Sequence, residues 1–363
     1  HALQAIREMG FEAVMVNNNP ETVSTDFDFS DQLFFEPLNH EDVLKIVENI
    51  GAKGVIVQFG GQTSINMAEK LVENSVNLLG TSLLGIDIAE DRKKIDKLLS
   101  KLNIKMPKGY TIDDPSELHG LIDVLNFPVL VRPSFVLGGR AMTIAYTKED
   151  VVGAVQEAYE QVDGKNPILI DEYIFGKELE IDLVCDGEDV YIPGVMEHIE
   201  RAGVHSGDSM AVFPSFSLDA ESISEIIDIG KKIAFGLGCI GMLNIQYIMS
   251  EGVIYVLEVN PRASRTVPFL AKATGISMAK VATKVMLGQT LKDQGIPIGL
   301  GPKPKCSTLK APVFSFNKLL GVEVGLGPEM KSTGEIMSFG TSLTEVFSKT
   351  WTSLGFNNVH SEK

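Results

Sequence analysis

Short apolar runs alternate with amphipathic helical stretches over the first ~90 residues, and few folds other than a helix-covered parallel sheet accommodate that alternation. Residues 1–9 have a helical period that stops at Gly10, and residues 12–18 read as a strand entering the polar turn Asn17-Asn18-Asn19-Pro20. Residues 41–50 are again helical, residues 54–59 run apolar into Gly60-Gly61-Gln62-Thr63, and residues 77–80 predict another short strand. Sheets of this kind bind ligands beyond the carboxyl ends of their strands, where the loops at 17–19 and 60–63 fall. Those loops read equally well as plain tight turns. The chain opens on a helix where such a sheet normally opens on a strand, so a first strand is expected to be missing.

The 363 residues carry a formal net charge of −16, which disfavours nucleic acid because its phosphates are repelled over most of such a surface. A polyanion is then held only in a local basic pocket or through a metal ion. No run of ~18 apolar residues marks a membrane span. Cys185, Cys239 and Cys306 are too scattered, and too odd in number, for a disulfide framework or a zinc knuckle. The expectation is a cytoplasmic protein with neither nucleic-acid nor membrane partners.

From Asp91 the pattern changes. A charged amphipathic helix over 91–102 precedes strands at 129–133 and 142–146, joined by a glycine-bearing loop, and a helix over 148–161. This is a small α+β unit suited to act as a lid. Strands dominate residues 168–260, interrupted by a helix near 220–237; a helical pattern returns at 277–287, and the rest is mixed.

Four stretches carry candidate chemistry. The sharpest is Leu257-Glu258-Val259-Asn260-Pro261-Arg262, at the end of an apolar strand. Glu258 and Asn260 point to one side because strand side chains alternate, and Pro261 ends the ladder for want of an amide hydrogen. A carboxylate beside an amide oxygen suits a hard cation such as Mg²⁺, and Arg262 and Arg265 nearby suit a phosphate. A three-residue turn at Ser250-Glu251-Gly252 would bring Gln246 onto the same face, whereas a two-residue turn would break that match. The second is Val131-Arg132-Pro133-Ser134-Phe135-Val136-Leu137-Gly138-Gly139-Arg140, where paired glycines let backbone amides approach phosphate oxygens beside a fixed guanidinium. It lacks a Walker ending, and a hairpin loop with glycines is more often just a hairpin. Third, Asp171-Glu172 ends one apolar run and Glu178, Glu180 and Asp182 share a face of the next strand. That face is either solvated or offers a carboxylate to a ribose while backbone near Ile174 meets an adenine edge. Fourth, His205 sits between glycines in Ala202-Gly203-Val204-His205-Ser206-Gly207-Asp208, placed to reach a phosphate or else an inert loop histidine, with no hydrolase triad pattern around it.

In this order, Asn19-Pro20-Glu21-Thr22-Val23-Ser24-Thr25-Asp26, Gly60-Gly61-Gln62-Thr63, Ala89-Glu90-Asp91-Arg92 and residues 132–140, 197–209 and 257–269 resemble the large subunit of carbamoyl phosphate synthase, of the ATP-grasp superfamily. The resemblance spans about residues 12–347. Gly138-Gly139-Arg140-Ala141-Met142, the His205 loop and Arg265-Thr266-Val267-Pro268-Phe269 look like the second, carbamate-phosphorylating synthetase half. The fold implied is α/β: a parallel-sheet pre-ATP-grasp domain over 1–90, then a two-lobed α+β ATP-grasp domain over 91–290, with a lid near 105–165 and a metal and nucleotide lobe near 166–290. Residues 291–363 would form a mixed segment packing on the ATP-grasp domain.

By the same resemblance the cofactors are ATP, Mg²⁺ or Mn²⁺, and K⁺ as a further cation. Arg92, Arg132 and His205 would contact phosphates, with Gly138 and Gly139 in the lid loop. Asp171, Ile174 and Glu178 would line the adenosine site, and Gly203, Val204 and Ser206 would complete the nucleotide pocket. Gln246, Glu258 and Asn260 would hold the metal. Arg262 and Arg265 would orient carbamate or stabilise the transferring phosphoryl group. The implied substrate is carbamate derived from bicarbonate, and the implied partners are a small glutamine-hydrolysing subunit and the other synthetase half. Three alternatives stay open: another ATP-grasp carboxylase or ligase, the bicarbonate-phosphorylating half, or a nucleotide-binding module without turnover.

Overall fold

The computed structural model describes residues 1–134, 142–162, 167–316 and 324–355. In the N-terminal part the alternation does produce a parallel sheet: β1 (Val14–Asn17) pairs in parallel with β2 (Gln32–Phe35). The apolar runs at 54–59 and 77–80 form a single parallel bridge, Val55 to Leu78, in place of two full strands. Helices His40–Ile50, Ala68–Glu73 and Leu83–Glu90 pack Val43, Leu71 and Ile86 around Val57. The first of these starts on Asn39, whose side chain accepts the Asp42 amide, and stops at Gly51 with φ 62, a left-handed backbone that glycine adopts without strain.

A small antiparallel sheet follows, built from β3 (Gly109–Ile112), β4 (Val129–Pro133), β5 (Thr143–Ala145) and β6 (Ile168–Glu172) in the order β3-β6-β4-β5. Helix Lys148–Gln161 opens on a capping box between Thr147 and Asp150 and lays Val151, Ala154, Val155 and Ala158 on this sheet. The small lobe therefore reaches Glu172, beyond the boundary near 165 expected from sequence. The apolar run Ile168–Glu172 is an interior strand, paired on both edges, and belongs to the lobe whose core it fills.

Among the described residues the third sheet holds nine strands: β7 (Lys177–Cys185), β8 (Val190–Ile192), β9 (Met196–Arg201), β10 (Ala211–Phe213), β11 (Gly241–Ser250), β12 (Val253–Asn260), β13 (Gly299–Leu300), β14 (Ser307–Val313) and β15 (Gly334–Gly340). Its main path runs β12-β11-β7-β9-β10-β14-β15. The residues after 291 are thus part of this sheet rather than a segment laid upon it. Helix Leu343–Ser353 completes that end, with Val346 packed on Leu309 and Val212. Pairing of β10 with β14 joins residues almost a hundred apart, a long-range contact that local periodicity does not reveal.

Alternation along β7 and β11 separates core from site. Leu179, Ile181 and Leu183, with Leu243, Ile245 and Tyr247, face helix Ala220–Gly236 in the main apolar core. Glu178, Glu180 and Asp182, with Asn244 and Gln246, face the other way. Among the described residues no helix is long and apolar enough to cross a membrane.

Candidate active site

The site is built on the open face at the ends of β7, β11 and β12. The β11–β12 hairpin turns through only two residues, Glu251 (φ 51) and Gly252 (φ 77), with Ser250 paired to Val253. That is the geometry of a tight primed turn, not the three-residue turn that would have put Gln246 on one face with Glu258. A bulge restores the match. Tyr247 pairs with Val256 and Gln246 with Glu258, leaving Leu257 as the extra residue. Ile254, Val256 and Val259 all join the core, so the step from 256 to 259 turns Glu258 and Asn260 out onto the polar face.

Two rows of side chains cross the three strands. Glu180, Gln246 and Glu258 are successive neighbours, and so are Asp182, Asn244 and Asn260. Among the described residues, no hydrogen bond or ion pair takes up the Gln246 amide or the Glu258 carboxylate, and Glu258 is exposed. The Asn260 oxygen accepts Arg262 Nη2 at 3.1 Å, and the Asn260 amide nitrogen donates to Asn244 at 3.4 Å. No cluster of three His, Cys, Asp or Glu suited to a metal occurs among the described residues. One free carboxylate with two amide oxygens does fit Mg²⁺, which usually takes one or two carboxylates and completes its shell with water and substrate phosphate.

The inner part of this face is not solvated, contrary to one of the two sequence readings of β7. Asp182 is 0% and Glu180 3% exposed. Burial and the neighbouring Glu180 carboxylate push Asp182 up to about 7. Burial alone would raise Glu180 too, but His198, Lys310 and Asn244 outweigh it and hold Glu180 below the usual carboxylate range. Glu178 is raised by burial, and its carboxylate accepts the Gly203 amide at 3.1 Å.

The loop carrying His205 is fastened from several sides. The His205 amide donates to the Gly327 carbonyl at 2.9 Å, and both Asp208 oxygens accept backbone amides, from Lys331 at 2.7 Å and Ser332 at 2.8 Å. Lys310, 2% exposed, donates to the Ser206 carbonyl at 3.0 Å. His205 Nδ1 accepts the Gly207 amide at 3.0 Å, which leaves the proton of the neutral ring on Nε2. Burial lowers this imidazole; Asp208 opposes the shift and Arg265 adds to it. Gly207 has no side chain where His205 and Arg265 converge: a Cβ would lie 3.1 Å from Nδ1 of the first and 3.2 Å from Nη1 of the second. Val204 is half-buried in the same loop.

Arg92, Arg132 and Asp171 form a separate group on the small sheet. Arg92 donates to one Asp171 oxygen at 2.8 Å and Arg132 to the other at 3.4 Å, while Arg92 also reaches the Pro107 carbonyl at 2.9 Å. Both oxygens of Asp171 are thereby engaged by guanidiniums. Gly109 lies beneath this cluster, where a Cβ would strike Asp171 and Arg92. Ile174 is half-buried in the connection between β6 and β7. Gly138, Gly139 and Arg140 lie outside the described residues.

Several residues of the site were not singled out by sequence. Gln62 accepts from Arg262 at 3.3 Å and donates to Glu90 at 2.6 Å, tying the N-terminal domain to the arginine loop. Asn244, Ser264, Thr266 and Lys310 line the buried side. Asn244 was within reach of sequence reasoning, since it shares parity with Gln246; Lys310 gave no signal, because it meets Ser206 across 104 positions.

Residues 91–294 match the carbamoyl-phosphate synthase L chain ATP-binding domain, and residues 1–88 match the carbamoyl phosphate synthase preATP-grasp domain. The chain belongs to the carbamoyl-phosphate synthase L chain ATP-binding family. Family and fold together make it an ATP-grasp ligase. Solved structures with a similar fold include biotin carboxylase from Campylobacter jejuni, with TM-score 0.76 and 16% identity, over 98% of this chain and 87% of that one. The biotin carboxylase domain of 2-oxoglutarate carboxylase from Hydrogenobacter thermophilus, in complex with MgADP, ADP and bicarbonate, has TM-score 0.75 and 16% identity over 98% of this chain and 86% of its own. N5-carboxyaminoimidazole ribonucleotide synthetase from Thermotoga maritima has TM-score 0.70 and 14% identity, over 98% and 94%. At these identities the likeness is one of fold.

Proposed function

We propose that this chain phosphorylates carbamate with ATP, giving carbamoyl phosphate and ADP, as the second synthetase half of a carbamoyl phosphate synthase serving arginine and pyrimidine synthesis. The observation that carries the proposal is the uncommitted Gln246–Glu258 pair at a strand end, followed at once by Arg262 and Arg265. A carbamate oxygen attacks the γ-phosphorus, the new P–O bond forms, and the bond to the β,γ-bridging oxygen breaks with its electron pair leaving on ADP. Both reactants are anions, and two unit charges ~4 Å apart at an effective dielectric near 20 repel by about 4 kcal/mol. Arg262 and Arg265 offset that repulsion, and neutral His205 can donate its Nε2 proton to a phosphate oxygen. Gln246, Glu258 and Asn260 would hold Mg²⁺ or Mn²⁺, which when bound supplies further charge neutralisation. Carbamate is already deprotonated, so no general base is required.

The family membership and the second-half sequence features around His205 and Arg265 support this reading. A glutamine-hydrolysing subunit and a bicarbonate-activating half would supply the carbamate, whose lability calls for delivery without release to water. The deciding experiment is the reverse reaction: formation of ATP from carbamoyl phosphate and MgADP by the purified chain. ATP formation supports the proposal. ATP hydrolysis that depends on bicarbonate, with no ATP formation, would assign the chain to the first half. The fold likeness to biotin carboxylases favours one other reading, a carboxylase, and biotin-stimulated ATP hydrolysis would select it.

A further inference from the structure

We infer that Asp182 is a positioning residue that fixes both the amide orientation of Asn260 and the placement of Arg265; this rests on reading the face as an ATP-dependent phosphoryl-transfer site. Asp182 is fully buried, on the strand that pairs directly with the hairpin bearing the candidate metal residues. A buried carboxylate is costly, and an apolar side chain of similar size would often stabilise the fold as well or better. What the carboxyl group provides is direction, because its two oxygens accept the Asn244 amide on one side and the Ser264 and Thr266 hydroxyls on the other.

Asn244 points its amide nitrogen at Glu180 (2.7 Å) and at Asp182 (3.2 Å), so its oxygen must face the next strand. There it accepts the amide nitrogen of Asn260 at 3.4 Å. Asn260 is left presenting its oxygen outward, towards Arg262 Nη2 at 3.1 Å and the open face. Reversal of Asn244 would set two NH₂ groups against each other, and reversal of Asn260 would set two oxygens against each other and turn a nitrogen, useless to a cation, outward. The second Asp182 oxygen accepts the Ser264 hydroxyl at 2.8 Å and the hydroxyl of Thr266. These two residues flank Arg265, and the Thr266 amide closes back on the Ser264 hydroxyl at 3.1 Å. Glu180 Oε1 accepts the same Asn244 amide and the Thr266 hydroxyl, at 3.2 Å, while Asp182 alone of the two also holds Ser264, so it is Asp182 that joins the strand pairing with Asn260 to both residues flanking Arg265.

The test compares Asp182→Ala, Asp182→Asn and the double variant Ser264→Ala/Thr266→Val in the full chain. Mn²⁺ binding in the presence of ADP, ATP formation from carbamoyl phosphate, and thermal unfolding are measured on each. Asp182→Ala should weaken Mn²⁺ binding and lower kcat by about tenfold or more each, with the KM for ADP changed less than about twofold. Asp182→Asn should recover most of both, because its carbonyl still accepts from Asn244 and the two hydroxyls can turn to accept its NH₂. The double variant cuts only the Arg265 branch and should lower kcat while leaving Mn²⁺ binding intact. Wild-type Mn²⁺ affinity in folded Asp182→Ala overturns the inference. Should that variant not fold, an unchanged kcat in the double variant overturns it. If wild type binds Mn²⁺ and ADP but forms no ATP, the carbamate reading fails, while Mn²⁺ affinity across the variants still decides the role of Asp182.

Discussion

Gln246 and Glu258 stand directly opposite one another on adjacent strands although the turn that joins those strands has two residues, and the bulge at Leu257 makes this so. With no extra residue, Glu258 would follow Ile254 and Val256 into the apolar core. A one-residue slip reverses every side chain of a strand; here the slip is local, and it converts a core strand into a site-forming one over its last three residues.

Glu258 is exposed and has no hydrogen-bond partner among the described residues. Glu258→Gln should therefore leave the thermal midpoint almost unchanged, as surface substitutions do within about 0.5 kcal/mol. ATP formation from carbamoyl phosphate and MgADP should fall by about a hundredfold or more, because a hard cation loses its one carboxylate. Near-normal turnover would remove Glu258 from the metal set.

Asp171 holds two guanidiniums at side-chain exposures of 11% for the acid, 15% for Arg92 and 26% for Arg132. Asp171→Asn leaves two partly buried cations without their counter-charge and should cost about 2 kcal/mol, less than a fully buried pair because water reaches Arg132. Both arginines would lose their orientation, and the nucleotide KM should rise more than kcat falls. Arg132→Ala should raise the same KM with a smaller loss of stability. Unchanged nucleotide kinetics in both variants would exclude this group from the phosphate site.

Burial depresses the His205 imidazole below its ordinary value of 6.5. The folded state then binds the proton less readily than the unfolded chain, so the associated stability is present above that value and is lost as pH falls through the folded pKa. Chemical denaturation from pH 8 to 5 should show wild type losing stability relative to His205→Asn at the acid end. A difference that stays flat with pH would show that the ring is not held neutral.

Asp182 titrates in the opposite sense. Its folded value of about 7 lies above the ordinary 3.8, so the protonated form favours folding. That stability is complete below the unfolded value and lost as pH rises through the folded one. The stability of wild type relative to Asp182→Asn should therefore fall as pH rises from 4 to 7, with a limiting slope of roughly 1.4 kcal/mol per pH unit for one proton. A rise with pH would reverse the assignment.

Much of the local structure was legible. Helix Lys148–Gln161 and the strand near residue 14 follow from caps and apolar spacing, which are encoded within a few residues of where they act, whereas the parallel partner of that strand, Gln32–Phe35, was not anticipated. Glu258 and Asn260 could be placed on one face for the same reason. The register that brings Gln246 to them could not, because a two-residue and a three-residue turn both suit Ser250-Glu251-Gly252, and a bulge has no fixed composition. The runs at 54–59 and 77–80 are apolar enough to predict strands, yet they meet only through Val55 and Leu78. Whether an apolar run becomes a strand depends on a partner edge, and that is a property of the assembled sheet.

The sequence by itself determined the family, the helix-covered parallel start and the small α+β lobe, since each rests on residue type and spacing along the chain. Tertiary structure alone decided that Asp171 is shared by Arg92 and Arg132, that Lys310 from the last part of the chain reaches the His205 loop, and that Asp182 joins Asn260 to Arg265 through intermediaries. Those contacts link groups between 39 and 104 residues apart. They exist because packing of the sheets removes their water, and each buried donor and acceptor must then find its partner inside the protein.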